Sequence, residues 1–121
     1  MASEFDRVAW FQVGSSDPGA AQRFYGDLFG WTFRTDPGSG DQYHLASYAG
    51  EQAPSGGITQ TDDGHAVFGV VVRDVAATCD RAVELGGKVL VPAVRTPDGL
   101  VFAHVLDAEA NRFMVFTPPA A

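Results

Sequence analysis

The chain has 121 residues, of which 45% are hydrophobic and 19% charged, and these values fit one compact globular domain rather than a disordered or fibrous chain. Its formal charge of −7 and its eight scattered Lys and Arg residues argue against binding to a nucleic-acid backbone. No apolar run reaches the ~20 residues that span a bilayer. The start of the sequence has no secretion-signal pattern. The lone Cys79 excludes an intrachain disulfide. We therefore expect a cytoplasmic protein that binds a small organic ligand and neither nucleic acid nor membrane.

The first half of the chain predicts a strand, a helix and three further strands. Residues 8–13 are rich in β-branched and aromatic residues and predict a strand that ends at 14–16. Asp17 can cap the following helix, and Gly30 ends it. The remaining predictions in this half are strands at 31–34, 43–48 and 57–60 and a turn at 37–40.

The second half predicts the same order of elements. After a polar connector at 60–66 comes a strand at 68–72, and Asp74 caps a helix that runs to Leu85 before two glycines. Three more strands are predicted at 89–94, 100–106 and 113–116, with a hairpin turn at 97–99 between the first two. Each half thus reads as β-α-β-β-β.

An internal repeat connects the two halves. An offset of 57 positions aligns Asp17 with Asp74, and it continues without a gap to Ile58 and Val115. Duplicated units usually pack around a shared cleft. We expect an α+β fold in which residues 1–121 form a single domain of two tandem βαβββ modules, about 7–60 and 66–118, that form a curved, cleft-enclosing mixed sheet.

Two segments carry a resemblance to a known family. A tandem βαβββ chain with Phe24-Tyr25-Gly26-Asp27-Leu28-Phe29-Gly30-Trp31 after the first strand, and residues 106–113 (LDAEANRF) before the last, resembles the vicinal oxygen chelate superfamily. That superfamily includes glyoxalase I, extradiol dioxygenases, methylmalonyl-CoA epimerase and the bleomycin resistance proteins. The resemblance covers residues 8–118 and implies the fold, but function has to be argued from the site.

In metal-dependent members, the resemblance implies four ligands on the first and last strands of the two modules. Those positions fall here on Val8, Gly57, Val67 and Met114. None is a ligand for a hard or borderline divalent cation, because such ions need imidazole, carboxylate or water. A register error of two residues would bring in only His65 or Gln12, so we expect no metal and no cofactor.

Strand alternation predicts which residues share the face of these former ligand positions. The face combines apolar side chains with a few polar groups, as small-ligand pockets usually do. The predicted ligand-binding residues are Val8, Trp10, Gln12, Gly57, Thr59, Val67, Val71, Arg112, Met114 and Phe116.

Each polar or aromatic member of this set has an alternative role. Trp10 offers a flat ring and one N–H donor to a ligand, or packs in a core or dimer interface. Gln12 could orient a ligand or simply be solvated. Met114 could contact a ligand or simply fill space by packing. Arg112 could bind a carboxylate, although its position beside a turn favours a surface pair with Glu109.

No catalytic constellation stands out. His44, His65 and His104 are interpreted as structural, Tyr43 and Tyr48 as ordinary strand tyrosines, and Cys79 as a packed helix residue. The leading hypothesis is a metal-free protein that resembles the bleomycin-resistance branch and sequesters an aromatic or cationic compound. The alternative is a glyoxalase-like lyase, isomerase or dioxygenase with a displaced metal site. The resemblance also implies a homodimer.

Overall fold

The computed structural model describes residues 3–119, which divide into two units. The first unit comprises residues 10–66, and the second comprises residues 3–9 together with 67–119. The elements are β1 (Arg7–Ser15), α1 (Pro18–Phe29), β2 (Thr32–Thr35), β3 (Tyr43–Ser47), β4 (Gly56–Gln60), β5 (His65–Val71), α2 (Val75–Glu84), β6 (Lys88–Arg95), β7 (Val101–Leu106) and β8 (Arg112–Thr117). No helix in this range is long and apolar enough to cross a membrane.

Both helices begin at the aspartates that the sequence singled out. The Asp17 side chain accepts a hydrogen bond from the Ala20 N–H at 3.1 Å, and the Asp74 side chain accepts one from the Ala77 N–H at 2.9 Å. These bonds satisfy N–H groups that the first helical turn would otherwise leave without a partner. The predicted caps are therefore confirmed in both halves.

The helix ends differ by one position between the halves. The residue that caps the C-terminal end of α1 is Gly30, which has a φ of 75°. After α2, the residue with positive φ is Gly86, at 96°. The repeat aligns Gly30 with Gly87 instead. Gly87 is required for a different reason, since a Cβ atom there would lie 2.6 Å from the carbonyl oxygen of Leu106.

The strands have the same order in both units. In the first unit the order is β2-β3-β4-β1, and in the second it is β6-β7-β8-β5. In each, the outer pairs are antiparallel and the last pair is parallel, β1 with β4 and β5 with β8. The predicted α+β class with two tandem βαβββ modules is confirmed.

In each unit, the strands bury one face under the helix. In the second unit, the core beneath α2 consists of Val72, Val75, Cys79, Ala103, Val105 and Val115, with Val70 and Phe113 packed against it. In the first unit, the ring of Trp31 lies 5.1–5.7 Å from the rings of Phe11, Tyr25, Phe29 and Tyr48. These rings join α1 to the sheet.

Several element boundaries differ from the sequence predictions by one residue, and three differences are larger or change the kind of element. β1 continues through Ser15, because Gly14 and Ser15 pair with the last two residues of β4. β5 begins at His65, so the connector between the strands is residues 61–64 only. The predicted turn at 37–40 contains a short 3-10 helix, Pro37–Ser39, whose first turn Asp36 caps.

Candidate functional site

The sheet of the first unit presents one face to α1 and a second face away from it. Gln12 lies opposite Gly57 in the β1–β4 register, and Tyr43 lies opposite Thr59 in the β3–β4 register. Because directly paired residues point to the same side of a sheet, these side chains share a face with Trp10. We call this surface the first-unit face.

Four side chains of the first-unit face form a continuous hydrogen-bonded chain. Trp10 Nε1 donates to the Tyr43 hydroxyl at 3.0 Å, and that hydroxyl donates to Gln12 Oε1 at 3.0 Å. Gln12 Nε2 lies 3.0 Å from His65 Nε2. The ring of His65 then contacts the Asp63 carbonyl oxygen through Nδ1, at 2.8 Å.

The chemistry of these groups fixes the direction of every hydrogen bond. A carbonyl oxygen only accepts, so His65 Nδ1 carries the proton that points to Asp63. His65 Nε2 is then an acceptor and receives the Gln12 amide N–H. All four donors therefore point the same way along the chain, from Trp10 to Asp63, which is the arrangement in which successive hydrogen bonds polarise one another.

Two glycines make room for the rings in this chain. The Tyr43 ring lies against Gly57, where a Cβ atom would overlap it. The His65 ring lies against Gly14, where a Cβ atom would be 2.6 Å from ring atoms. Both rings thus occupy space that a side chain on the neighbouring strand would otherwise fill.

Burial changes the acidity of the central group. Burial raises the pKa of Tyr43 to about 12, although the hydrogen bond from Trp10 acts in the opposite direction. The phenol is therefore a neutral donor at physiological pH. It is a hydrogen-bonding group rather than a ready base.

The second unit has a corresponding face away from α2. Gly69 pairs with Met114, and Val71 pairs with Phe116, so Val67 belongs to the same face by alternation. Val67, Val71 and Met114 are buried, whereas Phe116 is partly exposed. We call this surface the second-unit face. Val8, on the part of β1 that belongs to the second unit, is 64% exposed.

A charged side chain on the second-unit face is held by a histidine. Arg112 Nε donates to His104 Nδ1 at 3.2 Å. His104 is 5% exposed, and it pairs with Met114 across β7 and β8. The position of Arg112 beside a turn favours a surface pair with Glu109, whereas the structure gives Arg112 His104 as a partner. His104 shares a face with five of the predicted ligand-binding residues, Val67, Val71, Arg112, Met114 and Phe116.

The four positions that would bind a metal in metal-dependent relatives do not fit one. Val8, Gly57, Val67 and Met114 offer hydrocarbon, hydrogen and a thioether, none of which binds a hard or borderline divalent ion. Among residues 3–119, no three His, Cys, Asp or Glu side chains lie close enough together to hold a metal ion. The residue types at these four positions therefore do not match the ligands that such an ion needs.

Gln12 and His65, the two candidate metal ligands that a register error of two residues would bring in, are hydrogen-bonded to each other. Gln12 is 8% exposed, and its amide oxygen and nitrogen contact Tyr43 and His65. Both ring nitrogens of His65 have hydrogen-bond partners. A metal here would have to displace these bonds.

The cysteine is not activated. Cys79 is buried in the core beneath α2, and burial, with Asp80 nearby, raises the pKa of its thiol. Since the thiolate is the reactive form, this environment disfavours nucleophilic chemistry. The interpretation of Cys79 as a packing residue agrees with its position.

Tyr43, His65 and His104 are the site residues that sequence reasoning did not include. The interpretation of Tyr43 as an ordinary strand tyrosine rests on how often strands contain tyrosine, whereas its contact with Gly57 joins residues of two neighbouring strands. One signal was available: Gly14 and Gly57 lack side chains on a face that otherwise carries Trp10 and Gln12, and such gaps often mark a close approach by another group.

Comparisons with known proteins agree with this architecture. The family model described as Glyoxalase/Bleomycin resistance protein/Dioxygenase superfamily matches residues 7–115. CFP32 of Mycobacterium bovis, provisionally named a glyoxylase, is 30% identical over 106 residues, which cover 81% of this chain and 40% of that protein. CFP32 of Mycobacterium tuberculosis gives the same values. The chain thus spans about 40% of the length of the curated relatives it matches.

Solved structures show the same fold at low sequence identity. Methylmalonyl-CoA epimerase from Mycobacterium tuberculosis superposes with a TM-score of 0.65 at 16% identity, covering 100% of this chain and 93% of that one. A methylmalonyl-CoA epimerase in complex with methylmalonyl-CoA and NH4+ gives 0.63 at 16%, covering 97% and 96%. A Staphylococcus aureus protein gives 0.60 at 19%, covering 93% and 98%. Since the family model matches most of the chain and its elements follow the order expected from the resemblance, this chain belongs to the Glyoxalase/Bleomycin resistance protein/Dioxygenase superfamily.

Proposed function

We propose that this protein binds a small aromatic or cationic organic molecule without a metal ion, and sequesters it in the manner of the bleomycin-resistance branch. The observation that carries the proposal is the hydrogen bond from Trp10 to Tyr43, which fixes the indole ring on the first-unit face. Trp10 is only partly buried, so part of the residue is accessible. The chain of bonds to His65 holds the ring before any ligand arrives.

Preorganisation of this kind favours binding. Because the indole is already held in place, a ligand that stacks on it does not have to restrict the motion of the ring. The entropy lost in restricting that motion would otherwise weaken the binding affinity. A Trp face also attracts cations, and a formal charge of −7 favours their approach. The Tyr43 phenol stays neutral and so adds no charge of either sign at this position.

The remaining predicted contacts extend the proposal to the second-unit face. Val67, Val71, Met114 and Phe116 supply the apolar surface typical of small-ligand pockets. That these residues contact a ligand is a prediction, as are the homodimer, the single domain and the cytoplasmic location.

A second candidate function is a reaction on, or binding of, a small acyl compound. It is supported by the relative provisionally named a glyoxylase and by the fold shared with methylmalonyl-CoA epimerases, one of them in complex with methylmalonyl-CoA. A metal-dependent enzyme would need metal ligands at other positions, because Val8, Gly57, Val67 and Met114 supply none.

Tryptophan fluorescence tests the proposal, because the chain has two tryptophans in different surroundings. Trp31→Phe leaves Trp10 as the sole reporter, and Trp10→Phe leaves only Trp31, which lies among the rings beside α1. We expect saturable quenching by a member of a panel of bleomycin, cationic dyes and aromatic antibiotics in the first variant, and none in the second. Silence across the panel would contradict the proposal.

Two further measurements separate the candidates. Methylmalonyl-CoA belongs in the panel, since saturation by it alone would favour the acyl-compound function. Elemental analysis of protein purified without chelators should find no stoichiometric Zn, Ni, Mn or Fe. A stoichiometric ion would contradict metal-free binding.

A further inference from the structure

The outer surface of α1 carries large apolar side chains. Phe24 is 62% exposed and Leu28 is 59% exposed, and they are neighbours on the helix surface because they lie four residues apart. Phe29, next to Leu28 in the chain, is 53% exposed. Single exposed apolar residues are common, whereas adjacent ones form a patch of the kind that marks interaction sites. We call Phe24, Leu28 and Phe29 the α1 patch.

Two opposite charges lie beside the α1 patch. Arg23 directly precedes Phe24, Asp27 directly precedes Leu28, and both charged residues are exposed. Within residues 3–119, neither of these two side chains takes part in an ion pair or a hydrogen bond. Both charges are therefore available to a partner that contacts the patch.

The internal repeat shows that this combination belongs to α1 and not to α2. The offset of 57 positions aligns Phe24 with Arg81 and Asp27 with Glu84. In α2 these two residues form an ion pair with each other, with 3.4 Å between nitrogen and oxygen. The equivalent surface of α2 thus carries a charged pair that is satisfied within its own helix, whereas that of α1 carries an exposed aromatic ring and an unpaired carboxylate.

The order of these residues makes the surface of α1 complementary to itself. A two-fold axis that passes between Phe24 and Leu28 and relates two antiparallel α1 helices brings Phe24 of each copy to Leu28 of the other. The same axis brings Arg23 of each copy close to Asp27 of the other, because this pair has the same spacing and is shifted by one position. A parallel arrangement would instead bring like charges together.

We propose that the α1 patch is a contact surface for a second copy of this chain, in which the two α1 helices pack antiparallel about a two-fold axis. Phe24 and Leu28 form the apolar centre of the contact, and Arg23 and Asp27 form two symmetric ion pairs at its edge. The family resemblance implies a homodimer, and this proposal adds the surface and its register. It does not depend on any ligand, because it involves only side chains of α1.

The size of the patch indicates a weak association. Large side chains have surfaces of about 150–250 Å², so the exposed parts of its three members amount to roughly 300 Å² in each copy. Two copies with the charged side chains around them reach the low end of the range for protein interfaces, which is below about 1,200 Å² and typical of transient complexes. We therefore expect a dimer whose population depends on concentration.

Sedimentation velocity of the whole chain tests the proposal, over a range from about 1 μM to about 1 mM. We expect monomer at the low end of this range and dimer at the high end. A chain that stays monomeric at every concentration would overturn the proposal.

Two leucines at equivalent positions of the repeat provide a matched pair of variants. Leu28→Glu should weaken the dimer at least about 100-fold, since each dimer would then hold two carboxylates in an apolar contact. Leu85→Glu changes the net charge equally, at a residue that is 64% exposed, and should leave the association unchanged. Because both leucines are exposed, both variants should fold, and circular dichroism checks this. Retained association in Leu28→Glu, or its loss in Leu85→Glu, would overturn the assignment to α1.

Exchange of the two charges tests the antiparallel register. Arg23→Asp should place a carboxylate against Asp27 of the other copy, and Asp27→Arg should place two guanidinium groups together, so each should weaken the dimer about 3- to 30-fold. The double variant Arg23→Asp/Asp27→Arg restores both opposite-charge contacts and should recover the affinity of the parent chain to within about 3-fold. A double variant as weak as the two single variants would contradict this register.

Discussion

The ring of Tyr43 lies against the backbone of Gly57, in the space that a side chain at position 57 would occupy. In metal-dependent relatives, the resemblance implies a ligand at this position. Here a tyrosine from β3 covers it, and the hydroxyl of that tyrosine connects Trp10 to Gln12. A hydrogen-bonded aromatic surface thus takes the place in which a ligand side chain would stand.

This relationship predicts the effect of a single methyl group. Gly57→Ala should displace the Tyr43 ring and lower the free energy of unfolding by about 1–3 kcal/mol, as overpacked substitutions typically do. Urea denaturation measures it. Gly38→Ala is the control, because nothing lies within 4 Å of the position where its Cβ would stand. In a Tyr43→Ala background, Gly57→Ala should cost much less, and an unchanged cost would show that the ring is not the cause.

Removing the Tyr43 hydroxyl should leave two polar groups without a partner. Tyr43→Phe keeps the ring but deprives Trp10 Nε1 and Gln12 Oε1 of their shared bond, at a cost of about 1–3 kcal/mol. Tyr48→Phe, which removes the hydroxyl of a tyrosine that is 40% exposed, should change stability by no more than about 0.5 kcal/mol. Thermal and urea unfolding compare the two variants. Equal effects would contradict a special role for the Tyr43 hydroxyl.

Alkaline pH should weaken the fold through the same group. The pKa of Tyr43 rises from 10.0 to about 12 on folding. Between these values the unfolded chain has released the proton and the folded chain retains it, so stability falls as pH rises, by at most about 1.4 kcal/mol per pH unit. Below pH 10 the contribution is fully present.

Tyrosinate absorbance and unfolding free energy check this between pH 9 and 12. The absorbance step near pH 12 should be missing in Tyr43→Phe. The same variant should lose the part of the pH dependence that belongs to this group. A Tyr43→Phe curve that parallels the parent chain throughout would contradict the prediction.

The duplicated helix caps should have similar energetic effects. Asp17→Ala and Asp74→Ala each remove one side-chain bond to the third residue of a helix, and each should cost about 0.5–2 kcal/mol. Asp80→Ala, on an exposed position within α2, is the matched control and should be nearly neutral. Chemical denaturation separates the three. A neutral Asp17→Ala with a costly Asp74→Ala would argue against equivalent roles in the two halves.

Much of the architecture was predictable because its signals are local. Capping by Asp17 and Asp74 depends on atoms within one helical turn. The succession of strands along the chain follows from side-chain alternation and turn residues. The repeat also held in the core: Ile58 and Val115, aligned by the offset, are 1% and 2% exposed. The largest boundary errors are at Ser15, where pairing with Gln60 extends β1, and at His65, where β5 begins earlier than predicted.

The sequence by itself determined the fold class, the family and the absence of metal-binding side chains at four positions, since each depends on residue identity and spacing along the chain. Only the tertiary structure decided that Tyr43 lies on Gly57, that Gln12 bonds His65, and that Arg112 bonds His104. These contacts join residues on different strands. Their formation depends on register, on the space left by glycines and on burial, none of which is written in the local pattern of either partner.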